Sequence, residues 1–241
     1  MVRIVSYNVY GMPWGSKSIY EILLWIFCQS GADIVCLQEV FSQKYREIIR
    51  EKAAAAHWTA FFPDDPCFAG RFLSSYTSGS GLCILVKPTV ILLDVLPFER
   101  YRACDAWIEK VVSKGFFGIR FRVGSKAYLL YNTHMVSDFT ECKPIRISHF
   151  HSRRFQEKQL LEAARRHDEP VLIVGDFNQE EFHYFHRPYT HEGWTYRTTE
   201  EQIDHLACLP EASHQFSVLD VKFHQEIPYS DHIPLQVDLQ L

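Results

Sequence analysis

The sequence contains no hydrophobic run long enough to cross a membrane. Its most apolar stretch, residues 19–28, is interrupted by Glu21 and has about half of the roughly 20 residues that a membrane-spanning helix requires. The opening residues, Met1 to Asn8, do not show the charged stretch and following apolar stretch of a secretory signal. We therefore expect a soluble, cytoplasmic protein.

Close cysteine pairs are also missing. None of the seven cysteines forms a CxxC pair, which argues against a structural zinc site. Seven is an odd number, and in a chain without an export signal it favours reduced thiols in a cytosol-like compartment.

The chain has no excess of positive charge. Lys and Arg number 25 against 29 Asp and Glu, which gives a net charge of −4 and an isoelectric point near 6.3. This balance disfavours stable binding of duplex nucleic acid. Several basic residues gather near one predicted helix, and we interpret them as its solvated face: Arg146, Arg153, Arg154, Lys158, Arg165 and Arg166.

No linker or change of composition divides the chain. With 241 residues, 47% of them hydrophobic, it is long enough for one large core. We therefore expect a single domain over residues 1–241.

The clearest strand pattern lies in residues 170–178. A proline precedes and a glycine follows the aliphatic run Val171 to Val174, which predicts a short strand buried on both faces. Asp176 and Asn178 come directly after it, on a loop that the sheet would hold rigid. Taken alone, this pattern is equally typical of an ordinary turn, because Gly, Asp and Asn suit turn geometry.

Other polar residues lie at the ends of apolar runs in the same way. They are Ser6-Tyr7-Asn8, Gln38-Glu39, Asn132-Thr133-His134, Gln202-Ile203-Asp204-His205 and Tyr229-Ser230-Asp231-His232. A Glu at the end of an apolar strand is costly to desolvate unless it is paired or binds a cation, so Glu39 indicates either a salt bridge or a metal site. Its companion motifs favour the metal site.

The periodicity of the remaining chain predicts the architecture. Amphipathic helices are expected near residues 17–30, 42–56 and 147–167. The last helix is expected to bury Phe150, Phe155, Leu160 and Ala164. Strands are expected near 3–8, 33–37, 58–62, 80–86, 89–97, 116–123, 126–133, 171–174, 203–209, 216–223 and 233–239. Alternation in most of them predicts two sheets packed face to face and flanked by helices.

The order of the polar motifs resembles that of the endonuclease/exonuclease/phosphatase superfamily of metal-dependent phosphoesterases. The motifs span nearly the whole chain, from Asn8 and Glu39 through Gly175-Asp176-Phe177-Asn178 to Ser230-Asp231-His232. The resemblance implies an α/β fold, a four-layer α/β/β/α sandwich of the DNase I-like type with mostly antiparallel sheets. It places the active site at one edge of the paired sheets.

The resemblance also implies a metal. Hydrolysis of a phosphoester needs a cation to neutralise the phosphate, a base to make the nucleophile and a donor for the leaving group. Hard oxygen ligands favour Mg²⁺, with Mn²⁺ as a substitute. We expect Glu39 and Asn8 to bind this metal, and Asp231 to serve a second metal position.

The other motif residues are expected to act on protons and on the phosphate. Asp176 would take the proton from the attacking water, and Asn178 would donate to a phosphoryl oxygen. His232 would stabilise the transition state or protonate the leaving oxygen, with Asp204 orienting its ring. His134 would contact the phosphate.

Within the superfamily, the sequence is most similar to neutral sphingomyelinases, including the bacterial sphingomyelinase C type. Three stretches carry this similarity: Lys114-Gly115-Phe116, Thr133-His134 with the acidic loop after it, and Tyr229-Ser230-Asp231-His232-Ile233-Pro234. Cys104 and Cys142 lie where the secreted enzymes carry a disulfide, and in a reducing cytosol we expect them to stay thiols. Residues 216–228 are short and charged where those enzymes insert an aromatic hairpin into membranes. We therefore expect only transient contact with a membrane surface.

Three functions stay open on the sequence alone. The first is a phosphodiesterase whose phosphoester substrate is a phospholipid head group. The second is a nuclease, or a phosphatase of inositol phosphates or nucleotides; the third is an inactive binding module. The aromatic-rich stretch 182–196 fits either a stacking surface for a substrate or a loop held to the core by its rings.

Overall fold

A computed structural model describes residues 1–11, 18–64, 79–102, 113–138, 149–190 and 193–241. Its strands are β1 Val2–Asn8, β2 Ile34–Gln38, β3 Thr59–Phe61, β4 Cys83–Val86, β5 Ile91–Arg100, β6 Gly115–Val123, β7 Lys126–His134, β8 Val171–Asp176, β9 Asp204–Cys208, β10 Ser217–Phe223 and β11 Leu235–Gln240. Its helices are α1 Ile19–Cys28, α2 Gln43–Ala55 and α3 Phe150–Ala164, with a 3-10 helix at Pro210–Gln215 that the sequence did not predict.

The strands form two sheets. The first sheet has six strands in the order β10-β11-β1-β2-β4-β3, and the second has five in the order β5-β6-β7-β8-β9. Only the pairs β1–β2 and β7–β8 are parallel among the described strands. The predicted α/β sandwich with mostly antiparallel sheets is therefore confirmed.

Alternate residues of each central strand pack into different layers. In β1, Ile4 lies in the core between the sheets, whereas Val5 packs with α1 and α2 on the outer side. In β8, Val174 lies between the sheets and Ile173 packs with α3. Strands buried on both faces read as continuous apolar runs, which explains the pattern at 171–174.

One helix face differs from its prediction. Phe150 and Phe155 were expected to be buried on α3, but they are 42% and 64% exposed. Leu160 and Ala164 are buried as expected. The buried face of α3 is otherwise largely polar, and includes Ser152, Arg153, Gln156, Glu157 and Gln159.

The polar face of α3 is buried because loops beside it need hydrogen-bond partners. Arg153 forms a bidentate pair with Asp138 at 2.6 and 3.0 Å, so it does not belong to a solvated basic face as predicted. Glu157 accepts the backbone N–H of His183 at 3.0 Å. Side chains of the helix thus supply hydrogen bonds that backbone pairing would supply in a strand or helix.

Three residues named in the sequence-based predictions lie outside the described residues. They are the cysteines Cys104 and Cys142, expected to stay thiols, and Arg146 of the predicted basic face. In the aromatic stretch 182–196, Phe185 and Tyr189 are buried, which favours a loop held to the core by these rings. In the described part of the chain, the helices are all too short or too polar to cross a membrane.

Candidate active site

The predicted site residues continue the inner faces of the central strands. Ile4, Leu130, Leu172 and Leu206 lie in the core between the sheets. Every second residue of a strand points to the same face. The faces that carry these apolar residues therefore also carry polar side chains at one end of each strand: Asn8, Gln38, Asn132, His134, Asp176 and Asp204. The registers Asn8↔Gln38, His134↔Asp176 and Asp176↔Asp204 place these strand ends beside one another.

Asp176 lies at the centre of the group. Its Oδ2 accepts a 3.0 Å hydrogen bond from Asn8 Nδ2, and lies 3.4 Å from His134 Nε2 and 3.8 Å from His232 Nε2. Its Oδ1 accepts the backbone N–H of Asn178 at 2.9 Å. The carboxylate is therefore held from four directions by residues of different elements.

Burial dominates the acidity of Asp176. It raises the pKa, and the nearby Asp204 carboxylate raises it further, whereas His232 and Lys114 oppose both effects. The result is a pKa of about 7, near the pH at which a general base works best.

His232 and Asp204 form a buried pair. His232 Nδ1 lies 2.7 Å from Asp204 Oδ2, which leaves Nε2 facing Asp176. Burial disfavours the charged ring, but the Asp204, Asp176 and Asp231 carboxylates outweigh it and raise the pKa of His232 to about 10. The imidazolium is therefore the prevailing form at neutral pH.

Glu39 is joined to the same centre through Asn8. The Nδ2 group that binds Asp176 also donates to Glu39 Oε1 at 3.1 Å. Burial raises the pKa of Glu39, and Asp231 adds to this effect. Glu39 adopts a left-handed φ of +59°, which turns the chain sharply at the end of β2.

His134 completes the inner wall. Burial, with the nearby Lys114 and His232 charges, holds the pKa of His134 well below its usual range, so the ring is neutral. Its Nε2 lies 3.9 Å from Glu39 Oε1, and its Nδ1 has no hydrogen-bond partner among the described residues.

Asn178 and Asp231 occupy the rim. The Asn178 amide donates to the Met135 carbonyl oxygen at 3.0 Å, from a left-handed backbone with φ of +53°. Asp231 is partly exposed, and its carboxylate accepts a 3.2 Å hydrogen bond from Ser230 Oγ. All eight predicted site residues thus lie in one region. Five are buried at its centre, and three are partly exposed around them: Glu39, Asn178 and Asp231.

Two further features belong to the site, although the sequence-based prediction gives them no role in it. Lys114 is buried, and its Nζ donates to Met135 O at 2.8 Å beside His134. The predicted hairpin of β6 and β7 could have identified Lys114 as a site residue. In an antiparallel pair the start of β6 lies beside the end of β7, as the register Phe116↔Thr133 shows.

The second feature is a buried amide pair under the site, formed by Gln38 and Asn132, which the sequence marks as polar residues at strand ends without giving them a role. Gln38 Nε2 donates to Asn132 Oδ1 at 2.8 Å, and Asn132 Nδ2 donates to the carbonyl oxygens of Leu37 and Cys83 at 3.0 Å. These bonds join the two sheets directly below the Asp176 centre.

Two groups of side chains offer ligand atoms for a cation. Asp176, Asp204 and His232 have ligand atoms within 4.8 Å of one another. The hydrogen bond between Asp204 and His232 already uses one atom of each in that group. Glu39 and Asn8 form the other group, in which Asn8 Nδ2 donates to the Glu39 carboxylate at 3.1 Å and Asn8 Oδ1 accepts the Tyr10 N–H at 3.1 Å. The Glu39 carboxylate is the hard oxygen donor of this group.

The sequence matches the Endonuclease/Exonuclease/phosphatase family over residues 5–232. A comparison of the sequence with curated proteins found no significant match.

Solved structures share the fold at low sequence identity. Sphingomyelinase C from Streptomyces griseocarneus superposes with a TM-score of 0.74 and 15% identity over 98% of each chain. D. rerio TDP2 complexed with a single-strand DNA product gives 0.73 and 14% over 100% of this chain and 99% of that one. A mutant beta toxin from Staphylococcus aureus with bound magnesium ions gives 0.70 and 17% over 98% of each chain. These likenesses establish the fold.

Proposed function

Because the chain belongs to the Endonuclease/Exonuclease/phosphatase family, whose members are hydrolases of phosphoesters, we propose that it is a Mg²⁺-dependent phosphodiesterase of the sphingomyelinase type. One observation carries the proposal: a single Asn8 amide binds both Glu39 and Asp176, at 3.1 and 3.0 Å. The proposed metal ligand and the proposed general base are thereby joined by one amide, and this arrangement supports metal-assisted hydrolysis.

A divalent cation fits the residues around Glu39. The Glu39 side chain is 19% exposed, and burial of the remainder raises the pKa of its carboxyl, so a cation would stabilise this partly buried charge. Glu39 would hold Mg²⁺, or Mn²⁺ in its place, and Asn8 would join it through Oδ1, which here accepts the Tyr10 N–H at 3.1 Å. Asp231 would serve a second position. When bound, the metal would neutralise charge on the phosphate.

The chain's own residues would move the protons. Asp176, with a pKa of about 7, would accept the proton of the attacking water. His232 would donate a proton to the leaving oxygen or stabilise charge there, while Asp204 holds its ring. His134 would contact the phosphate as a neutral ring, and Asn178 would donate to a phosphoryl oxygen through the amide proton not used by Met135.

Sphingomyelin is our first substrate. Support comes from the fold shared with sphingomyelinase C and from the Lys114, Thr133-His134 and Ser230-Asp231-His232 motifs. A phospholipid substrate also implies transient contact with a membrane surface. The burial of Phe185 and Tyr189 removes two rings from a stacking platform and so weakens the nuclease alternative.

A nuclease is the second candidate, because a single-strand DNA product is bound in the TDP2 structure of the same fold. Phosphatase activity on inositol phosphates or nucleotides would use the same centre with a different leaving group. An inactive binding module is disfavoured, because the full set of polar residues converges.

A substrate panel tests the proposal. Sphingomyelin micelles, single-stranded DNA, RNA and phosphoinositides would be assayed with Mg²⁺, with a chelator, and with Mg²⁺ restored. We expect sphingomyelin hydrolysis that the chelator abolishes, and a fall in kcat by orders of magnitude in Asp176→Asn. If the protein cleaves one of the other substrates but not sphingomyelin, the substrate is reassigned. If it cleaves none of them in a metal-dependent way, the enzyme proposal fails and the inactive binding module is the remaining function.

A further inference from the structure

The Asp204–His232 pair joins the two sheets. Asp204 begins β9, in the second sheet, whereas His232 lies in the loop before β11, in the first sheet. A 2.7 Å hydrogen bond between this loop and a strand of the second sheet requires that both backbones be held in place. One short segment, Thr195 to Arg197, forms hydrogen bonds with the backbone beside Asp204 and with the backbone beside His232.

Thr195 holds the Asp204 side. Its buried Oγ1 accepts the backbone N–H groups of Ile203 at 3.0 Å and of Asp204 at 2.9 Å. Its carbonyl oxygen accepts the N–H of Ile233, the residue after His232, at 2.7 Å. Thr195 is therefore bonded to the backbone next to each partner of the pair.

Arg197 holds the His232 side. Its backbone N–H donates to Asp231 O at 2.8 Å, and its Nε donates to Ser230 O at 3.2 Å. Its Nη2 donates to Ile227 O and, at 3.3 Å, to Gln225 O. One guanidinium thus ties together three carbonyl oxygens of the loop that carries His232.

The residue between them contacts the imidazole itself. The ring of Tyr196 is tilted against that of His232, with centroids 5.0 Å apart. A bridge between Tyr196 and His232 continues the backbone pairing of this segment. The His232 ring is therefore confined by Tyr196 as well as by Asp204.

We propose that Thr195 and Arg197 are positioning residues that hold Asp204 and His232 at hydrogen-bonding distance across the two sheets. The inference rests on the proposed function only for its catalytic consequence, since the hydrogen bond itself is observable without turnover. Neither residue touches the reacting phosphate in this proposal; both act through the pair.

Paired substitutions test each residue. Thr195→Val removes the acceptor while keeping the shape, and Thr195→Ser restores the hydroxyl. Arg197→Ala removes the guanidinium, and Arg197→Lys retains the charge and part of the donor set. Arg166→Ala is the matched control. This arginine also forms an ion pair, with Glu99, but within the described part of the chain it makes no hydrogen bond to the segment that carries His232.

The readouts separate positioning from folding. We expect Thr195→Val and Arg197→Ala to lower kcat about 10- to 100-fold, as loss of an orienting partner does at other sites, with KM changed less than about threefold. Thr195→Ser should recover most of the loss, and added guanidinium should partly rescue Arg197→Ala. The downfield proton resonance of His232 Nδ1 should weaken in both damaged variants and persist in Arg166→Ala.

Two results would overturn the proposal. One is a kcat within about twofold of wild type in both damaged variants. The other is an unchanged His232 resonance in variants that remain folded by thermal unfolding. If the wild type cleaves no phosphoester, the proposed function fails, but the resonance still decides whether these residues hold the pair.

Discussion

Asp176 and His232 face each other across 3.8 Å, and their environments shift their acidities toward different tasks. Burial raises the pKa of Asp176 to about 7 despite the neighbouring imidazolium. Burial opposes the charge on His232, yet three carboxylates raise its pKa to about 10. A base and an acid can therefore coexist at neutral pH within one small volume.

His232→Ala should distinguish the two roles open to this residue. We expect kcat to fall about 10²- to 10⁴-fold with an alcohol leaving group, because no proton donor remains. The loss should be much smaller with a p-nitrophenyl leaving group, which departs without protonation. Steady-state kinetics on both substrates measures the difference, with the exposed His214→Ala as control. Equal losses on both would indicate charge stabilisation instead.

At the scale of elements, the parallel pair β7–β8 carries the site. Gly175 has a φ of +147°, and a Cβ there would lie 2.0 Å from the Thr133 carbonyl oxygen of β7. Only glycine permits this approach, which aligns His134 with Asp176. The glycine before the aspartate is thus needed for strand pairing as well as for the turn.

Gly175→Ala should destabilise the protein by about 3 kcal/mol or more, through backbone strain and the clash with β7. Urea unfolding followed by circular dichroism measures the change. Gly124→Ala is the matched control: it also has positive φ, but its Cβ would meet no atom within 4 Å. The control should lose only about 1 kcal/mol, from strain alone. Similar losses in both variants would show that the β7 contact is tolerated.

Element patterns also explain which predictions failed. The sequence pattern predicts α3 with Phe150, Phe155, Leu160 and Ala164 buried, and it is wrong only for the two phenylalanines. Phe155 is instead exposed, because Arg153 and Glu157 are drawn inward by loops distant in sequence. A local apolar period cannot report such partners, since the donors and acceptors come from other elements.

At the scale of the whole molecule, hydrogen bonds across the two sheets define the site. Asn8 binds Asp176 and Gln38 binds Asn132, each bond joining one sheet to the other. His232, in the loop before β11, pairs with Asp204 of the second sheet. Buried polar groups that form hydrogen bonds with one another across layers favour a single arrangement of the layers. The site is therefore complete only when the sandwich is assembled.

Metal binding should consequently stabilise the whole fold. For a ligand at 100 times its Kd, linkage predicts a gain of about 2.7 kcal/mol. We expect Mg²⁺ to raise the thermal unfolding midpoint of the wild type but not of Glu39→Gln, which lacks the proposed ligand charge. Differential scanning calorimetry with and without Mg²⁺ measures this, with the exposed Glu21→Gln as control. An equal shift in Glu39→Gln would place the cation elsewhere.

The sequence by itself determined the layers, the strand order along the chain and the residues at the strand ends. Period-two alternation and apolar runs are local properties, and polar residues that continue an inner face, such as Asp176 after Val174, can be read directly. Only the tertiary structure decided that one Asn8 amide joins Glu39 to Asp176, that Lys114 lies beside Met135, and that the 195–197 segment supports Asp204 and His232. These contacts depend on register and sheet packing between segments far apart in the chain, which no local pattern encodes.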